Sequence, residues 1–424
     1  MNFDLYKYKN KVIMLVTLGI IFPFFFQLSG DIYNAYPNPL DDSNGSMMIV
    51  PLPISLLSCF VGLIYFVRNF SIIKLSLSVI VATTIFLLIS VLVVGASYSK
   101  YLLIIQYIVP LFALVLGIVL GGKEKQIVPK TILFFLVFFI PSQVIATWLQ
   151  GQLALTHYLY GFSVYQHYQY VPLVMTALFT WIWVELRNTH IKYIYCLAPW
   201  IAIYCAAGNS VLALFGLVVF SLSFAFFARG RKIDFIIPMI ILMFITAYFY
   251  ANSQLAPIIQ KQNKEMGIAE RAIFGGKFFD NNGNFLYSDK FKAPINVVMR
   301  ADLAKLYLHG IFDSRMAFLF GNSDPISRKV TSSAHNYYLD MSYSFGVLAC
   351  FPILMLLIYS SVRVLKNHSQ GDCLIWLFLI VLYLAVVDSF FKVTLRQPYP
   401  GLITFFMWGA VLRRLQILDA DSKL

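Results

Sequence analysis

Long apolar runs alternate with short polar breaks along most of this chain, and one polar stretch past the middle is far longer than the others. A helix needs about 20 mainly apolar residues to cross a bilayer. Twelve such runs occur, near 12–29, 48–67, 72–95, 101–121, 131–149, 168–186, 191–208, 211–228, 233–251, 336–361, 373–391 and 398–413. None shows two-residue alternation, so they predict helices rather than barrel strands. Lipid offers backbone groups no other partner, and the expected fold is therefore all-α. The organisation predicted is transmembrane helices 1–9 over residues 1–251, one large loop over 252–334, and transmembrane helices 10–12 with a tail over 335–424.

Composition agrees with that pattern. The chain is 60% hydrophobic and 12% charged, with mean hydropathy +0.76, against about 25% charged residues in a soluble domain. Its net charge of +13 reads as a topology signal. With the N-terminus inside, the inner segments hold 18 Lys and Arg, the short outer loops 3 and the long loop 11. Short loops follow the positive-inside rule and long ones are exempt. Both termini are thus expected in the cytoplasm, the loop outside, and no nucleic-acid partner. The first run lacks a small-residue cleavage site after it and reads as an uncleaved anchor. Cys59, Cys196, Cys205, Cys350 and Cys373 have no metal-like spacing and are expected to be buried.

The long loop carries 7 acids against its 11 bases, a balance that would attract an anionic head group. Within it, Asn296 to Ile311 predicts a helix. At helical spacing Asp302, Lys305 and His309 form a polar face. Leu303, Ala304, Leu306, Tyr307, Leu308 and Ile311 spread around the other side, with Arg300 among them. A charge directed inward needs a partner or a task. Pairing with a buried carboxylate and binding of an anion both satisfy the pattern. Gly310 is expected to end this helix and Gly321 to mark the next turn. Arg315 and Arg328 flank the turn signature Asn322-Ser323-Asp324-Pro325 and read first as solvated charges.

His335 opens the tenth run, with Ser332 or Ser333 expected as its helix cap. A neutral imidazole there can take a proton from a hydroxyl, or it can be an interfacial histidine satisfied by backbone. Asp340 falls about 140° further around the helix, nearer Asn336 than His335. An acid at that depth is a functional candidate by default. Elsewhere, the aromatic stretch 157–170, with His167 at its centre, reads either as an interfacial belt or as a platform for sugar rings. Asp41-Asp42 reads as a solvated pair before a metal site. No metal and no cofactor are expected, and no nucleotide-binding glycine motif or serine or cysteine triad is present.

These residues resemble the bacterial O-antigen polymerase and O-antigen ligase superfamily. The likeness rests on about twelve spans with one dominant late outer loop, on Met299-Arg300-Ala301-Asp302-Leu303-Ala304 leading to Phe318-Leu319-Phe320-Gly321-Asn322, and on His335-Asn336-Tyr337-Tyr338-Leu339 followed by Gly346. It covers roughly residues 296–350; elsewhere the match is to hydropathy alone.

The resemblance implies a GT-C-like, metal-independent glycosyltransferase in the bacterial inner membrane. Its donor would be a glycan on undecaprenyl diphosphate, and a chain-length regulator its partner. Arg300 would engage the diphosphate and His335 would activate the acceptor hydroxyl. Beyond those two, the sequence itself offers Asn336, Tyr337, Tyr338, Asp340, His167, Arg271 and Arg315 as candidate substrate contacts. The family often has a Ser-Arg or Thr-Arg pair outside a middle span. Here that place reads Gly208-Asn209-Ser210-Val211, which makes Arg396, or less directly Arg271, the substitute. Polymerase is favoured over ligase because Tyr337-Tyr338-Leu339-Asp340 follows the His-Asn pair, where ligases tend to carry an acid sooner. A lipid-linked glycan flippase is the rival from another class. It should hold charges within its spans and lack a large outer loop, whereas Asp340 and Asp388 are the intramembrane acids read here.

Overall fold

In the computed structural model the described residues are 5–21, 70–121, 126–149, 171–207, 210–227, 235–262, 295–326, 333–367 and 373–421. They are mostly helical, with no strand among them. The helices are α1 (Leu5–Ile21), α2 (Phe70–Val94), α3 (Tyr98–Ile108), α4 (Phe112–Leu120), α5 (Ile127–Leu149), α6 (Val171–Leu186), α7 (Ile191–Ala207), α8 (Val211–Phe227) and α9 (Ile236–Gln262). They continue with α10 (Ile295–Phe312), α11 (Arg315–Phe320), α12 (Tyr337–Phe345), α13 (Val347–Lys366), α14 (Cys373–Leu382) and α15 (Pro398–Asp421). Six helical segments are long and apolar enough to cross a membrane: Phe70–Val94, Tyr98–Leu120, Ile127–Ile145, Val347–Lys366, Cys373–Phe391 and Pro400–Ala420. Five shorter apolar helices, of 10–17 residues, match other predicted runs. The run at 48–67 lies outside the described residues. The chain is a multi-pass membrane protein.

Two compact units divide the chain. One comprises Met1–Pro23, Gln27–Val128 and Arg300–Leu424; the other comprises Phe24–Phe26 and Pro129–Met299. In the second, α6 packs against α7 and α8, and α9 against the same two helices. In the first, α15 lies along α4, and α13 lies against α2 and α12.

The helix α2 shows how an apolar run sorts its faces. Ser76, Thr83 and Ser90, seven residues apart, are buried with Ile73, Ile80 and Leu87. Val81, Ile85, Leu88 and Leu92 form the opposite, exposed stripe, as a surface bathed in lipid requires. The buried hydroxyls are satisfied by carbonyls. Ser76 donates to Ile73 O (2.9 Å), Thr83 to Val79 O (2.8 Å) and Ser90 to Phe320 O. Where α4 crosses α15, backbones meet directly. A Cβ on Gly117 would fall 2.0 Å from Phe406 O, and one on Gly409 2.2 Å from Leu114 O. Small residues permit this approach, and packing of this kind drives helix association in lipid.

The structure corrects several sequence expectations. The run at 336–361 is not one helix. It breaks at Gly346, whose φ of +85° belongs to glycine. A Cβ there would meet Leu319 O at 2.0 Å. Gly310 does not end its helix, since α10 continues to Phe312; its lack of a side chain instead admits the Tyr343 ring. Gly321 does turn, at φ +78°. α9 runs on to Gln262, past the end of its apolar run, and α15 extends to Asp421. Cys205 and Cys350 are buried as expected, but Cys196 is exposed.

Candidate functional site

On α10 the predicted polar face holds, and the predicted apolar side holds in part. Asp302, Lys305 and His309 are exposed, while Leu303, Tyr307 and Ile311 are buried. Leu306 and Leu308, read with the apolar side, are exposed instead. Arg300 is half-buried, one turn before Leu303 on the inward seam. Among the described residues no carboxylate lies within ion-pair distance of it. Its charge nevertheless acts on His335 and Lys392, and on the Asp388 carboxylate that Lys392 already pairs with. Residues 35 positions apart in sequence are thus brought into one electrostatic neighbourhood.

His335 sits in the turn that enters α12. Its φ of +50° is the one positive value among the described non-glycine residues, a backbone state that costs on the order of 1 kcal/mol and needs surrounding support. The cap of α12 is Asn336, not Ser332 or Ser333. Its Oδ1 accepts from Tyr338 N (2.9 Å) and Leu339 N (3.0 Å), satisfying two of the donors left open at a helix start. Ser333 Oγ instead accepts from His335 N at 3.3 Å. Burial first, then the Arg300 guanidinium, hold the His335 imidazole below its ordinary 6.5; Asp340 opposes this and Arg396 adds to it. The ring is therefore neutral near pH 7, the state in which it can accept a proton.

Asp340 does not bind the Asn336 side chain, as its spacing suggested. It is 3% exposed and its two oxygens are divided between tasks. Oδ1 accepts from Ala334 N at 3.1 Å. Oδ2 accepts from Tyr107 OH at 2.7 Å and is ion-paired with Arg396. Arg396, 7% exposed, therefore reaches the site as the partner of Asp340. A second buried pair lies beside it. Lys392 Nζ is 3.3 Å from Asp388 Oδ1, and Thr394 Oγ1 donates to the other oxygen of Asp388. Asp388 ends a π-helical turn, Tyr383–Asp388, a deviation often found at functional positions.

Tyr337 is buried edge-on against Tyr107, with centroids 5.4 Å apart, and its N donates to Lys392 O. Tyr338 OH donates to Ala385 O at 2.7 Å. Arg315 is exposed on α11. Arg271, His167, Arg328, Asp41 and Asp42 lie outside the described residues, as does the aromatic stretch around His167. Among the described residues no group of three or more His, Cys, Asp or Glu could hold a metal ion.

Sequence reasoning missed four participants: Tyr107, Tyr307, Lys392 and Lys100. Tyr107 and Gln106 are the polar interruptions of an otherwise apolar run, which was the available signal. Tyr307 reads in the sequence as part of the apolar side; burial and then the Asp340 carboxylate push its phenol up, so it stays protonated. Lys392 and Lys100 read in the sequence as charges of short outer loops. Lys100 is in fact 0% exposed. Its Nζ donates to Asn322 O at 2.8 Å and lies 5.3 Å from the Phe345 ring centroid. Asn322 in turn donates to Tyr343 O through both its N (2.9 Å) and its Nδ2 (3.0 Å). The Phe320-Gly321-Asn322 turn is thereby fastened to α12, which carries Asp340.

No protein-family model matches the chain, and no curated protein matches it either.

Proposed function

We propose that this chain is a membrane-embedded glycosyltransferase that polymerises lipid-linked O-antigen units at the periplasmic face of the bacterial inner membrane. The observation that carries the reading is Arg300: a half-buried guanidinium without a carboxylate partner among the described residues, acting electrostatically on a neutral histidine. The nearby cations Lys392 and Arg396 already have carboxylate partners, so Arg300 is the charge disposed to meet an anion. Of the two roles its sequence position allowed, the lack of an ion-paired acid among the described residues favours anion binding.

In the reaction, His335 takes the proton of an acceptor sugar hydroxyl on a new lipid-linked unit. The freed oxygen bonds to the anomeric carbon of the growing glycan as the bond from that carbon to undecaprenyl diphosphate breaks. The bonding electrons leave with the diphosphate, and Arg300 stabilises the charge that develops there. Arg396 adds positive potential from its place beside Asp340. Stabilisation of developing charge is commonly the largest catalytic contribution, and in this reading Arg300 supplies it. The chemistry needs no metal ion.

The test is the surface polysaccharide of a deletion strain. Loss of a polymerase leaves one capped unit, whereas loss of a ligase or a flippase leaves none. Complementation with His335→Ala should give normal protein in the membrane and still only the single unit. Long chains from that mutant would remove His335 from the mechanism.

A further inference from the structure

We infer that Asp340 is the positioning residue that sets His335 for chemistry, by holding the backbone immediately before it. This rests on the reading of His335 as the base. The turn Ser333-Ala334-His335-Asn336 carries the positive φ at His335, so something must hold its backbone. Asn336 caps forward into α12 and does not reach back across His335. Tyr337 N is fixed to Lys392 O at 3.1 Å. Behind His335, Asp340 Oδ1 takes the Ala334 N–H at 3.1 Å. The same carboxylate is immobilised on its other oxygen by Tyr107 from α3 and by Arg396 from the turn before α15. Asp340 thus ties three separated parts of the chain to the amide one residue before the candidate base. A displacement of about 1 Å at a reacting group can cost about 100-fold in rate, so this tether should appear in kcat rather than in binding.

Two charge-neutral double variants of the full-length protein isolate the tether. Asp340→Asn/Arg396→Gln keeps an acceptor for Ala334 N–H, and Asp340→Leu/Arg396→Met removes it. Both delete the same two charges, so neither leaves a buried ion unpaired. With purified enzyme and lipid-linked repeat units, the Leu/Met pair should fall about 100-fold below the Asn/Gln pair in kcat, with KM unchanged between them. Backbone amide exchange over residues 333–339 should be faster in the Leu/Met pair alone. Equal kcat and equal exchange in the two pairs would overturn the inference. Should either pair fail to accumulate, Tyr107→Phe, which leaves the ion pair intact, decides by the same readouts: a lower kcat at unchanged KM supports the tether and an unchanged kcat overturns it. A fully active His335→Gln enzyme would instead defeat the functional reading, and the exchange comparison would still judge the tether.

Discussion

The α4–α15 crossing and the turn into α12 are both buried, and they are held by opposite means. At the crossing, Gly117 and Gly409 let main chain touch main chain, and nearby polar groups are quietly satisfied, as where Trp408 Nε1 donates to Ser360 Oγ at 2.8 Å. Around α12 the interior holds two ion pairs, a strained histidine and a tyrosine-carboxylate bond. Dispersion and fit hold the first region, and nothing there can be exchanged with a ligand. The second spends desolvation on charges that apolar side chains could have replaced at equal or greater stability. A protein that buries charge where it need not is maintaining a geometry rather than a core.

The comparison breaks first at the crossing. Gly117→Leu should abolish accumulation in the membrane. Overpacking costs typically 1–3 kcal/mol and occasionally more, and here the new side chain has backbone rather than a flexible neighbour to displace. Membrane immunoblotting reads this, and normal protein levels would show that α4 and α15 can part.

At the site the pattern reverses, with activity lost before protein. Arg300→Lys should accumulate normally and extend chains about 100-fold more slowly, the scale of losing one well-placed donor to a developing charge, because an ammonium cannot reproduce the guanidinium fork. Lys305→Ala, one turn away and exposed in a surface pair with Asp302 at 3.8 Å, should be nearly silent, as such pairs contribute little. Membrane abundance with ladder length measures both. A fully active Arg300→Lys would point to the wrong helix face.

The smallest effect is on pH. His335 is held below 6.5 by burial and by Arg300, so its neutral form persists at pH 7. The acid limb of kcat/KM, which reports the free enzyme, should therefore lie below 6.5, falling about tenfold per pH unit once the ring is protonated. Arg300→Gln removes a charge that disfavours the imidazolium, so the limb should move upward. A limb that stays in place would separate Arg300 from His335. The stability linkage has the same sign: below 6.5 the unfolded chain binds the proton more readily than the native one, so folding weakens as pH falls.

Much of this was legible in the chain because its signals are local. Apolar runs announce the helices, six of them long and apolar enough to cross a membrane, and the period of Asp302, Lys305 and His309 announces the exposed face of α10. The rest depends on residues far apart. Nothing near Asp340 indicates Arg396, 56 positions on, or Tyr107, 233 positions back. Nor does an apolar run reveal that Gly346 interrupts it, since the atom that leaves no room for a side chain there, Leu319 O, belongs to another helix. Lys100 looked like a loop residue for the same reason: its acceptor, Asn322 O, lies 222 positions away.

The positive φ at His335 carries a last consequence. Glycine would occupy that backbone without strain, returning on the order of 1 kcal/mol to the fold. Histidine is the less comfortable occupant, held in place by neighbours. Selection for heat resistance alone would drift position 335 toward glycine, and selection for sugar transfer would hold it against that drift. The two pressures meet on one residue, where durability and chemistry are in direct competition.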